Sequence, residues 1–350
     1  MSRTSGNGRL IARALAGSWR RSPPALYMSA DNLGMVAPAL LASGAGALGW
    51  WRVQNSSLAT SSAALELQQA YRLHALQAAR HRRDLRDTFR LLRAASLEAI
   101  LVKGWAVARL YPEQGLRPYG DIDLCIRPQD SKRAKEVLAA VKDSQFIFDF
   151  HEGFTKLDDR DWSQIYARSQ LFKINEVTAR VPGPEDHLRI LCYHFLREGA
   201  WRPLWLCDIA VSIESAGADF NWDLCLGTDK KRREWFVCAL ALAHHLLNAN
   251  IEKLPREIKD KRLPDWLLPA VLKAWEVRSM ARRHQTPMTT AWRTPVPALA
   301  NLRYHWPNPV EGTIGMQGSF NELPRLPYQL GNCLLRTVDF LRHLPKLLRG

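Results

Sequence analysis

From Ala63 to Ala95, Leu65, Leu73, Leu76, Leu85, Phe89 and Leu92 recur at helical intervals among seven arginines, which predicts one long helix ended at Ser96. The period then shortens. Leu97-Glu98-Ala99-Ile100-Leu101-Val102 is a short, bounded apolar run and predicts a buried strand; Gly104 opens a helix through Trp105–Tyr111 that Pro112 stops. After a turn-rich stretch, Gly120-Asp121-Ile122-Asp123-Leu124 alternates. In a strand, Asp121 and Asp123 share one face while Ile122, Leu124 and Ile126 point into a core. Ser131–Lys142 returns to helical spacing with Ala134, Val137, Leu138 and Val141. Gln145–His151 alternates again, with Phe146, Phe148 and Phe150 on one side and Ile147, Asp149 and His151 on the other. This predicts a third strand bearing a third carboxylate, and a small unit of alternating strands and helices.

The flanks read as mainly helical. Leu10, Ile11, Ala14 and Leu15 suit a short amphipathic first helix, preferred over a transit peptide for the Arg- and Ser-rich start. Beyond the strands, Gln170–Ala179 suits a hairpin or one more strand, and Pro184 is placed to start a helix with Leu188, Leu191, Cys192 and Phe195 on its buried side. Leu204–Ser215 and Lys230–Asn248 continue a helical lobe, Thr286–Pro327 reads as mostly loop, and Leu330–Gly350 as a basic amphipathic helix. The expected organisation is a helical region over 1–96, a catalytic unit over 97–180, a helical lobe over 181–285 and a loop-rich extension over 286–350. The fold class expected is α+β, a small mixed sheet embedded in a mainly helical protein.

Charge changes this picture little at the site and more at the ends. The net charge is +15, but residues 97–150 carry eight basic and eight acidic side chains, and 151–250 twelve against fourteen. The excess lies in residues 1–96, with thirteen against four, and 251–350, with sixteen against eight. A neutral central unit argues against a long nucleic acid as substrate, and the basic termini suit weak contact with an anionic surface. Residues 34–51 lack charge, but their Gly and Ala content and Pro38 make a poor membrane span, so no transmembrane segment is expected. The six cysteines include no Cys-x-x-Cys pair, which disfavours zinc and suits free thiols in the cytoplasm.

Two carboxylates on one strand face repel unless a cation sits between them, and hard oxygen ligands suit Mg²⁺, as one or two ions. Such an arrangement serves phosphoryl or nucleotidyl transfer. Asp121, Asp123 and Asp149 are therefore the candidate catalytic and metal-holding residues, with Asp149 also a candidate base for an acceptor hydroxyl. Lys103 and Gly104 end a strand at a helix start, where backbone N–H groups favour phosphate, and Lys103 and Arg117 are the nearest cations for a triphosphate. His187, His194, His244 and His245 are read as core or cleft residues, and Asp208 as a structural contact between lobes.

These motifs resemble the nucleotidyltransferase superfamily that includes DNA polymerase β, and more closely a group of largely uncharacterised bacterial nucleotidyltransferases. The resemblance runs through Leu101-Val102-Lys103-Gly104-Trp105-Ala106, Arg117-Pro118-Tyr119-Gly120-Asp121-Ile122-Asp123-Leu124 and Phe148-Asp149-Phe150-His151, and continues weakly to Trp205–Ala210. It implies a transferase moving a nucleoside monophosphate from an NTP to an acceptor that is a small molecule or protein. Superfamily members often place serine or glycine after the glycine where this chain has Trp105. The alternative is a nucleotide-binding or scaffold protein that keeps the fold without catalysis.

Overall fold

The computed structural model describes residues 4–139, 147–154, 157–281 and 306–347. Three short helices come first: α1 (Thr4–Leu15), α2 (Ala30–Ala42) and α3 (Gly46–Val53). The uncharged stretch 34–51 thus divides between two helices, and no helix among the described residues is long and apolar enough to cross a membrane. Next is α4 (Ser62–Ala94), capped by the Ser61 hydroxyl, which accepts from the Ala64 N–H. Ser96 ends it with φ 53°, while the Leu97 N–H returns to the Leu92 carbonyl.

The sheet has five strands: β1 (Ala99–Val102), β2 (Asp121–Ile126), β3 (Ile147–Glu152), β4 (Gln170–Ile174) and β5 (Val177–Val181), in the order β3-β2-β1-β5-β4. β1 runs antiparallel to β2 and parallel to β5; β2 and β3 are parallel. The stretch after Gln170 is the hairpin β4–β5, turned at Asn175 with φ 52°. Between the strands lie α5 (Gly104–Ala108), α6 (Ser131–Ala139) and α7 (Trp162–Arg168). α5 stops three residues before the expected Tyr111, and the end of the Ser131–Lys142 helix lies outside the described residues.

Alternation gives the sheet two apolar faces. Ile122, Leu124 and Ile126 pack with Leu85, Phe89 and Leu92 of α4, while Ile100, Val102 and Cys125 pack on the other face with Trp162 and Ile165. The helical lobe follows as α8 (Pro184–Arg197), α9 (Pro203–Glu214), α10 (Trp222–Leu226), α11 (Lys230–Leu247), α12 (Arg256–Lys259) and α13 (Leu267–Ala281). Its buried residues, Trp235 and Trp275 among them, share one core with Ile11, Leu40, Leu48 and Leu67 of the N-terminal helices. α4 therefore reaches from one core to the other.

The stretch read as mostly loop contains a short helix among its described residues. Pro309–Gly315 is a helix, α14, before the last helix, α15 (Leu326–Leu347). The Asn308 side chain accepts from the Glu311 N–H and Pro309 takes the first turn, so a local capping sequence outweighs the two glycines. Residues 286–305 of that loop lie outside the described residues.

Candidate active site on paired strands

The parallel register of β2 and β3 sets Asp123 opposite Asp149, and the pleat puts His151 on the same face as both. The His151 Nε2 is 3.4 Å from Asp123 Oδ1 and 3.4 Å from Asp149 Oδ2. One donor atom from each of Asp123, Asp149 and His151 lies within 4.8 Å of the others. Asp123 is buried, whereas half of the Asp149 side chain is exposed, so the pair offers one fixed and one solvated carboxylate.

Lys103 enters from the neighbouring strand. Val102 is opposite Asp123, and the chain then turns sharply, with φ 49° at Lys103 and φ 25° at Gly104, to begin α5. A positive φ at a residue with a side chain is strained, and the turn sends the Lys103 Nζ to 2.5 Å from Asp123 Oδ1. Burial pushes the Asp123 carboxyl up, but the His151 hydrogen bond and the Lys103 charge outweigh it and hold the carboxyl below its ordinary range.

Asp121, on the same strand face, lies at the rim and outside the trio. Partial desolvation by the cleft walls, and next the charge of Asp123, push its carboxyl above the usual range. That excess of negative charge, with oxygen donors on two strands, fits a divalent cation.

A cavity of about 340 Å³ opens beside these groups. Lys103, Gly104, Asp121 and Asp123 form its sheet side, and Arg117 with Tyr119 an adjoining wall. His74 and Gln77 of α4, His194 and Trp205 of α8 and α9, and Gly44 after α2 also line it. His194 meets the Trp205 ring edge-on at 4.4 Å, and burial, then the Lys103 charge, pushes its imidazole well below the ordinary range. A neutral imidazole at this wall can donate or accept a hydrogen bond without adding charge.

Arg117 is held in place from behind. Its guanidinium makes paired bonds to Asp208, with Nη2 to Oδ2 at 2.7 Å, while Tyr111 donates to Asp208 Oδ1 at 2.9 Å. Burial works against the charged form, but Asp208 raises the guanidinium pKa above its usual value. Asp208 is thus the contact between lobes that its place in an apolar helix predicts.

Sequence reasoning brings Asp121, Asp123, Asp149, Lys103, Gly104 and Arg117 to one region, but it treats His151 only as a neighbour of Asp149. The period-two signal was present, since residues 149 and 151 share a strand face. The contribution of α4 and of the turn after α2 has no comparable signal, because it depends on how distant helices pack.

A mixed sheet that presents Asp123 and Asp149 on neighbouring strands, beside a lysine at a strand-to-helix turn, is the framework of a nucleotidyltransferase. The model of the uncharacterised nucleotidyltransferase family matches residues 50–248, more than half of the chain, and the chain belongs to that family. The match takes in α4, the whole sheet and the helices that carry His194 and Trp205. No curated protein and no solved structure matches the chain.

Proposed function

We propose that the protein transfers a nucleoside monophosphate from an NTP to a compact acceptor bound in the cavity between sheet and helices. The observation that carries this reading is the register of Asp123 against Asp149, with Lys103 on the third side. Asp121, Asp123 and Asp149 would hold the divalent cation, with His151 positioned to orient Asp123 and Asp149 or to add a nitrogen donor. Bound there, Mg²⁺ would neutralise charge on the phosphate oxygens.

In the proposed reaction an acceptor hydroxyl oxygen forms the new bond to the α-phosphorus, the bond from that phosphorus to the β-phosphate oxygen breaks, and pyrophosphate leaves with the electron pair. Asp149, being half exposed beside the buried Asp123, takes the acceptor proton. The Lys103 ammonium, which balances Asp123 at 2.5 Å, turns to the terminal phosphates when nucleotide enters. Gly104 gives them a backbone approach, and Arg117 closes the same wall. His194 and Trp205, a polar and an aromatic side chain lining the same cavity as Asp121 and Asp123, contact the acceptor, and a cavity of this size suits a small molecule or one protein side chain rather than a long polymer.

The experiment is incubation with Mg²⁺, each NTP and a metabolite extract, read for released pyrophosphate and for acceptors heavier by one nucleoside monophosphate. The expected result is transfer with the wild type and a loss of more than about 100-fold in Asp123→Asn, which keeps the shape but removes the central charge. Nucleotide binding without pyrophosphate release from any extract would replace this reading with the non-catalytic one, which Trp105 beside Gly104 favours.

A further inference from the structure

The last helix is amphipathic, and it is turned inside out relative to the body of the protein. Leu326, Leu330, Leu334, Val338 and Leu341 recur at steps of four and then three residues along one helical face, and every one of them is exposed, Leu334 to 68%. The opposite side makes the contacts with the protein. Asn332 is buried, the Gln329 side chain donates to the Pro307 carbonyl, and Arg336 pairs with Glu311 of α14 at 3.0 Å. Gly312 lies close against the backbone of Gln329, which fixes the polar side inward.

A helix that docks by its polar side and exposes leucines is built to bury them elsewhere. We infer that α15 is an in-plane anchor for an anionic lipid bilayer. Charge selects this occupant over a second copy of the chain. The protein carries +15 overall and sixteen basic against eight acidic residues in its last hundred, so two copies repel while an anionic surface attracts. The apolar face also extends beyond a single seam, with Leu335 exposed as well, which is wider than a two-helix contact needs. The helix is not long and apolar enough to cross a bilayer, so its leucines enter the headgroup boundary while Arg342, exposed on the flank of the stripe, meets lipid phosphates.

The test is sedimentation of the full chain with vesicles, either phosphatidylcholine alone or an equimolar mixture with phosphatidylglycerol. Wild type should pellet with the mixed vesicles and far less with the neutral ones. The double variant Leu334→Glu with Leu341→Glu changes only exposed positions and should weaken binding roughly tenfold or more, with the far-UV circular dichroism and melting temperature retained. Arg342→Glu should weaken it less, and more so at low salt. Equal pelleting with both vesicle types, or binding by the double variant equal to wild type, would overturn the inference. So would a wild-type dimer in solution that the double variant converts to monomer and that does not bind vesicles, since a second copy would then cover the stripe.

Discussion

His187 shows how a single buried side chain makes stability depend on pH. It lies inside α8, buried, with no hydrogen-bond partner at Nε2 among the described residues, and desolvation, then Arg109 and Arg117, hold its pKa down to about 3. Above about pH 6.5 folded and unfolded chains are both neutral there, so the group has no effect. As pH falls from 6.5 toward 3 the unfolded chain takes a proton that the folded one refuses, and stability drops. The expected penalty is about 2 kcal/mol at pH 5, and His187→Leu should remove most of that pH dependence in urea titrations at pH 7 and pH 5. Asp208 is the opposite kind of residue, a buried charge with full partners. Asp208→Ala leaves the Arg117 guanidinium and the Tyr111 hydroxyl without their shared acceptor, and a loss of about 3–5 kcal/mol is expected in the same titration.

Among the elements, the turn from β1 into α5 is the one on which the site depends most. A side chain at Gly104 would meet only ordinary contacts, the nearest being the Asp121 carbonyl at 3.6 Å, so space does not demand glycine there. The backbone does, since φ is 25° directly after a strained Lys103. Gly104→Val should therefore cost about 1–2 kcal/mol in stability and weaken nucleotide binding by swinging the Lys103 side chain off Asp123. Unchanged affinity, measured by titration calorimetry with an NTP and Mg²⁺, would detach the phosphate site from this turn. Strands and long helices were legible because burial on one face writes its period into the sequence: Ile122, Leu124 and Ile126 against Asp121 and Asp123 are the clearest instance. Strand order was not legible. Alternation says which way Asp149 faces, but only the parallel pairing of β2 with β3 says that it faces beside Asp123. The helix Pro309–Gly315 was missed because Gly312 and Gly315 hid an Asn-Pro-x-Glu start.

Across the whole molecule, two cores meet along one helix. Ala63, Ala64 and Leu67 belong to the large helical core, while Leu85, Phe89 and Leu92 belong to the sheet. Leu85→Ala should cost about 2–5 kcal/mol, and the tryptophan fluorescence of the helical lobe, 18 residues of helix away, should melt earlier along with the sheet's far-UV signal in one shared transition. Two separate transitions would mean that α4 does not couple them. The walls of the cavity were not legible in the sequence for the same reason: His74 and Gln77 line it only because of how α4 packs against distant parts of the chain. From residue 68 to residue 84 α4 has no fully buried residue, and its contacts there are at the surface, with His81 against the Tyr119 ring at 4.7 Å and Arg82 donating to the Asn175 side chain. Because His74 and Gln77 sit on that stretch, a bend in α4 would change the width of the cavity while Leu67 and Leu85 stayed in their separate cores.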